Sequence, residues 1–177
     1  MNIEDFFLKS VGEWNSMRSG HSLAFQEFEE IRSKVRIVPS KSNDSRVTKF
    51  LKDNLITTTA VNKAFLINWE AKSEWGEEYQ KENSSGKSIL VPIEVSKTEG
   101  KIIRSVVYTE AVQVVSTYKI LNDGTLIIYS DYSHICTEER IWFVSKNLRS
   151  RSSVTRAINS SAIMQTSYAS EIRSIKK

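Results

Sequence analysis

Glu139, Arg149 and Arg151 have the residue types and spacing to hold an anion between them. Glu139 begins the run Glu139-Arg140-Ile141-Trp142-Phe143-Val144. In a strand, alternate side chains share a face, so Glu139, Ile141 and Phe143 fall on one side. Ser145-Lys146-Asn147 reads as a turn, because Ser and Asn side chains bond their own backbone. A following strand places Arg149, Arg151 and Ser153 on one face. A carboxylate and two guanidiniums can then face one space. Buried charges are costly without partners, so this suits an anionic ligand better than a plain core. The competing reading is a cross-strand ion pair on the outer face, which contributes little. Ile141 and Phe143 beside Glu139 favour the interior, and Trp142 on the opposite face argues against it.

Other residues could complete such a site. Arg18 lies between Trp14 and His21 and could hold a ligand carboxylate through its planar fork, or lie exposed over Trp14. His21 taken alone reads as structural. Trp69, Trp75 and Tyr79, amid Glu70, Glu74, Glu77 and Glu78, could form an aromatic wall for a flat conjugated ligand, or ordinary core packing. Cys136 and His134 lack a third group and read as a buried inert thiol and its neighbour. No phosphate-binding Gly loop, H-E-x-x-H or G-x-S-x-G occurs, and His21 and His134 are too far apart in sequence to suggest a metal cluster.

These side chains need elements to position them. Ile3, Phe6, Phe7, Val11 and Trp14 form a helical stripe over residues 2–17, with Asn2 as cap. Residues 20–38 read as two strands joined near Glu29-Glu30, and Pro39 ends that unit. Val47, Phe50, Leu51 and Leu55 make residues 45–55 a second short helix, capped by Asp44 or Ser45. Strands then follow over 60–69, 73–81, 88–95, 102–107, 111–120, 125–132, 135–144, 148–158 and 162–172. Asn122-Asp123-Gly124 is a hairpin signal. About ten short strands joined by tight turns argue a mainly β chain, an up-and-down antiparallel barrel with an N-terminal helix and a second short helix. A closed barrel of that size has room inside for a ligand.

Composition sets limits. With 177 residues, 40% of them hydrophobic, the chain is expected to form a single domain, residues 1–177, with a real core. No apolar run reaches the roughly 20 residues of a membrane helix, and Glu4 and Asp5 interrupt any signal peptide. Cys136 is the single cysteine, so an internal disulfide is impossible. A soluble protein of a reducing, cytoplasmic compartment is expected. The net charge of +4 is uneven: residues 146–177 carry seven Lys or Arg against Glu171 alone. A nucleic-acid reading would want aromatics interleaved with those arginines, and residues 146–158 have none.

Over nearly its whole length the chain resembles the S-type phycobiliprotein lyases, which attach open-chain tetrapyrroles (bilins) to phycobiliprotein cysteines. The resemblance rests on FFLKSVGEWNSMRSGHSLAF at residues 6–25, INWEAKSEWGEEY at 67–79, TEERIWFVSKNLRSRSSV at 137–154 and SYASEIR at 167–173. It departs at Lys146, where the family commonly has Pro. The resemblance implies a lipocalin-like barrel with accessory helices. It implies that Arg18, Glu139, Arg149 and Arg151 are charged pocket residues, with Glu139 and Arg149 catalytic. Trp69 and Trp75 would be the aromatic wall, and Trp14 and His21 would belong to the motif at the mouth. It further implies a bilin, phycoerythrobilin by family background, as transferred substrate, with no permanently bound cofactor. The partners implied are an apo-phycobiliprotein subunit and a second copy in a homodimer, with neither nucleic acid nor membrane. The host would be a photosynthetic cell, or one infected by a virus carrying the gene. The alternative is a non-catalytic carrier of a bilin or fatty acid, which needs the same pocket.

Overall fold

The computed structural model describes residues 1–41, 43–56, 63–73, 84–105, 113–160 and 162–175. The chain opens with a helix, α1 (Ile3–Ser10). Asn2 caps it: its side chain accepts from the Asp5 N–H at 2.8 Å, and Asp5 Oδ2 accepts from the Asn2 N–H at 3.3 Å. This reciprocal box satisfies two donors that the first turn leaves open. Two strands follow, β1 (Gly12–Ser22) and β2 (Glu27–Ser40), then helix α2 (Ser45–Asp53). The remaining strands are β3 (Ala64–Ser73), β4 (Ser84–Glu94), β5 (Glu99–Ser105), β6 (Gln113–Ile120), β7 (Leu126–Tyr132), β8 (Ile135–Ser145), β9 (Leu148–Ala157) and β10 (Ile163–Arg173).

Each strand pairs antiparallel with the next, and β10 pairs back onto β1, so the ten close into a barrel. This is the mainly β, up-and-down, lipocalin-like architecture expected from the sequence. The β6–β7 hairpin forms at Asn122-Asp123-Gly124, where Gly124 adopts φ +85° and Thr125 N–H donates to Asp123 Oδ1. Among the described residues no helix is long and apolar enough to cross a membrane.

Two apolar clusters hold the barrel. Ile3, Phe6 and Phe7 of α1 close one end, packing with Trp14, Ile37, Phe65, Leu90, Ile102, Leu126 and Ile141 from the strand interiors. Outside the wall, Val47 and Leu51 of α2 pack on Ala64, Val91 and Ile103. Asp44 caps α2 by accepting from the Arg46 N–H at 3.0 Å.

Several boundaries differ from the sequence expectation: β3, β4 and β5 are shifted by a few residues, and three larger differences lie near the N-terminus. The first helix stops at Ser10 rather than running through Trp14, because Gly12 takes φ +134° and starts β1. The β1–β2 turn falls at residues 23–26, with Gln26 at φ +55°, and not at Glu29-Glu30, which lie within β2. β2 also continues through Pro39, past the last β1 pairing at Gly12–Ile37, where a missing N–H is tolerated. Of the strand expected over 73–81, only Ser73 is described, as the last residue of β3.

Candidate functional site

Alternation along β8, β9, β10 and β1 sends every second side chain into the barrel. Directly opposed residues share a face, so the pairings define interior rows. One row reads Phe143, Arg149, Glu171, Ser16, and the next reads Ile141, Arg151, Ala169, Arg18. A third reads Glu139, Ser153, Ser167, Gly20. Glu139, Arg149, Arg151 and Arg18 therefore all lie on the inward parity, which the alternation in sequence leaves open between the interior and the outer face.

They do not form one cluster. Arg149 Nε donates to Glu171 Oε2 at 2.5 Å, and the two side chains are 6% and 4% exposed. The Arg149 guanidinium also lies over the Trp14 ring, 4.7 Å from its centroid. Burial pushes the Arg149 guanidinium down from its ordinary value, and the Glu171 charge opposes that. Arg149 is thus held in a closed pair toward the α1 end of the barrel.

Glu139 sits in a looser arrangement. Its Oε1 is 3.8 Å from Arg151 Nε, and its Oε2 is 3.5 Å from Arg104 Nη1. Both separations exceed a charge-assisted hydrogen bond of ordinary length. Burial by itself would raise the Glu139 carboxyl, but the Arg151, Arg104 and Arg18 guanidiniums outweigh it and hold the carboxyl below the usual carboxylate range. Glu139 is consequently an ionised acceptor at neutral pH.

The wall around this carboxylate is hydroxyl-rich. Ser116 and Ser130 share a 2.7 Å hydrogen bond, as do Ser153 and Ser167, and Thr137 and Thr155 meet at 3.0 Å. Arg18 pairs with Glu29 at 3.1 Å, and its side chain is 41% exposed, so it stands toward the end of the barrel opposite α1. Among the described residues, Arg18 Nε and Arg151 Nε are buried donors with no hydrogen-bond acceptor. Such donors cost free energy unless something accepts from them.

The aromatic candidates separate. Trp69 projects from β3 opposite Val35 and Gly86, with its ring laid so close to Gly86 that an added Cβ there would fall 2.1 Å from it. Trp14 is buried at the closed end rather than at the mouth, with Nε1 donating to Ser10 O at 2.8 Å. Arg173 also lies over the ring, 4.2 Å from its centroid, while donating to the Val11, Lys9 and Lys146 carbonyls. His21 lies toward the end opposite α1 on the outer face of β1, exposed and edge-on to Phe28 at 4.9 Å. Trp75 and Tyr79 lie outside the described residues. Cys136 is on the outward parity of β8, opposite Asp131 and Arg156, and does not face Glu139.

Sequence reasoning passed over Arg104 and the role of Glu171. Arg104 follows Ile102 by two residues, so its charge shares the face of a fully buried side chain. Glu171 is the lone acid of a basic tail.

A family model described as CpeS-like protein matches residues 2–174. A chromophore lyase CpcS/CpeS of Trichodesmium erythraeum is 38% identical over 176 residues, covering 98% of this chain and 100% of the relative. A protein of Microchaete diplosiphon, whose name proposes a phycoerythrobilin lyase CpeS, is 34% identical over 151 residues, 84% of this chain and 66% of its own. The solved structure of the S-type phycobiliprotein lyase CPES from Guillardia theta superposes with a TM-score of 0.85 at 30% identity, covering 100% of this chain and 95% of that one. The match runs almost from one end of the sequence to the other, and this chain belongs to the CpeS-like protein family.

Proposed function

We propose that this chain is a bilin lyase: it holds an open-chain tetrapyrrole in the barrel and passes it to a cysteine of an apo-phycobiliprotein subunit. Glu139 carries the reading, as a carboxylate kept ionised among guanidiniums inside a hydroxyl-lined barrel. A bilin offers pyrrole N–H donors to such a carboxylate and propionates to the cations around it. The vacant donors Arg18 Nε and Arg151 Nε suit propionate oxygens. Trp69, laid along Gly86, offers a flat face to the conjugated rings. Trp75, His21 and Trp14 remain in this reading only as the resemblance implies them, with Trp14 acting through Arg149.

The chemistry is an addition. The acceptor sulfur forms a C–S bond to the ethylidene carbon, the S–H bond breaks, and the hydrogen ends on the neighbouring ring carbon. Nothing is oxidised or reduced. Once Glu139 has taken a proton from the bilin or its surroundings, it can return it to the conjugated system, making the ethylidene a better electrophile. Arg149, fixed by Glu171, supports this centre from the α1 end. The nucleophile belongs to the acceptor, which agrees with Cys136 facing outward. Orientation supplies most of the effect, by holding the bilin in one pose and presenting one end.

Phycoerythrobilin is the bilin proposed, with a homodimer as the working unit and the cytoplasm as its place. Mixing the protein with phycoerythrobilin should shift and sharpen the bilin absorption, and adding an apo-subunit should yield an acid-stable coloured adduct. Binding without an adduct would leave a carrier, and no spectral change would end the bilin reading.

A further inference from the structure

Arg104 has no part in the sequence motifs, yet it reaches across the interior to two other strands. It leaves β5, bonds Ser130 Oγ on β7 through Nη2 at 3.2 Å, and brings Nη1 to 3.5 Å from Glu139 on β8. Two strands, β6 and β7, lie between its own strand and that carboxylate.

Charge pairing shows why this matters. Arg149 is closed against Glu171, and Arg18 has Glu29. Arg104 and Arg151 are left to share the single carboxylate of Glu139, one on each oxygen, both beyond ordinary hydrogen-bond length. Two guanidiniums on one carboxylate leave one positive charge in excess. Arg151 also keeps a buried Nε without an acceptor. The Arg104 and Glu139 side chains are 27% and 16% exposed, so the excess charge is partly shielded from water but not sealed off. A site of this kind favours a second carboxylate.

We propose that Arg104 is a substrate-binding residue that takes one propionate of the bilin, exchanging its long contact with Glu139 for a direct pair with the ligand. The proposal rests on the bilin reading and adds a residue and a specificity to it. Ser130, itself bonded to Ser116, fixes one end of the guanidinium and leaves Nη1 to swing between the two carboxylates. The exchange frees Glu139 from one of its cations as the ligand arrives, so the same step that anchors the propionate prepares Glu139 to accept a proton.

The test pairs a change in the protein with a change in the ligand. Affinities for phycoerythrobilin and for its dimethyl ester are measured by absorption titration in the unaltered protein, Arg104→Gln and Arg104→Lys. Arg104→Gln should lose about tenfold or more in affinity for the diacid, the scale of one charge-assisted hydrogen bond, with little change for the ester. Arg104→Lys should recover part of the diacid preference, which also covers the case that Arg104→Gln does not fold. Equal losses for diacid and ester, or no loss at all, would overturn the proposal. If the unaltered protein binds neither form, the bilin reading itself has failed.

Discussion

Arg149 and Glu171 meet at 2.5 Å on neighbouring strands, while Arg151, two residues from Arg149, stays 3.8 Å from Glu139. The first pair is closed and nearly inaccessible, and the second is open. The difference separates a pair that holds the barrel interior together from one that leaves charge to offer a ligand.

Breaking a buried pair by removing one partner strands a charge. Glu171→Leu alone, or Arg149→Met alone, should therefore lower unfolding free energy by about 3–5 kcal/mol. The double variant should cost clearly less than either single change, since it removes both charges. Urea melts of the two singles and the double give the coupling. Additive losses would mean that the pair is not a unit.

Glu139 should leave a signature in the pH dependence of stability. Its folded carboxyl lies below the usual range, so its contribution is present above the unfolded value of about 4.3 and is lost as pH falls through the lower folded value. The unaltered protein should lose stability on acidification below about pH 4.3 more steeply than Glu139→Gln. Thermal melts of both between pH 3 and pH 7 test this, and parallel curves would refute it. Glu139→Gln should also slow transfer more than it weakens binding, as seen in adduct yield at saturating bilin.

Gly86 has no room for a side chain beneath Trp69. Gly86→Ala should cost about 1–3 kcal/mol by forcing the indole aside, and it should weaken bilin binding. In a Trp69→Ala background the same alanine should cost much less. Melts of the four combinations give the answer, and an unchanged cost would place the strain elsewhere.

The plug should be the most expensive part of α1 to thin. Phe6 is fully buried in the barrel end, whereas Leu8 on the same helix is 40% exposed. Phe6→Ala should cost about 3–5 kcal/mol, and Leu8→Ala should stay within about 1 kcal/mol. Denaturant midpoints of the two variants distinguish them.

Much of the barrel could be read in advance, because β6 alternates exposed and buried residues from Val115 to Ile120 and the later strands are divided by residues that turn well, as at Asn122-Asp123-Gly124. The N-terminal boundaries could not. Val11 and Trp14 continue a helical spacing by coincidence, since Trp14 enters the same core from a strand. The β1–β2 turn contains Leu23 and Phe25, apolar residues that look like strand, while the acidic Glu29-Glu30 look like turn. At the site, parity along β8 and β9 put Glu139 on one face of its strand and Arg149 with Arg151 on one face of the next, but Trp142 opposite left open which face was inward. It could not show that Arg149 would be claimed by Glu171, or that Arg104 would arrive from three strands away. The first contact depends on the β9–β10 register and the second on the curvature of the sheet from β5 to β8, which no local pattern records.

A stoppered vessel fills and empties by the same opening. With Phe6 and Phe7 seated in one end, a bilin held as proposed would pass by the other end, toward which Arg18 stands. On the proposed function, that geometry would impose an order of events: pigment first, protein second, coloured product last. Excess apo-subunit, arriving early, would cork an empty flask and slow the reaction.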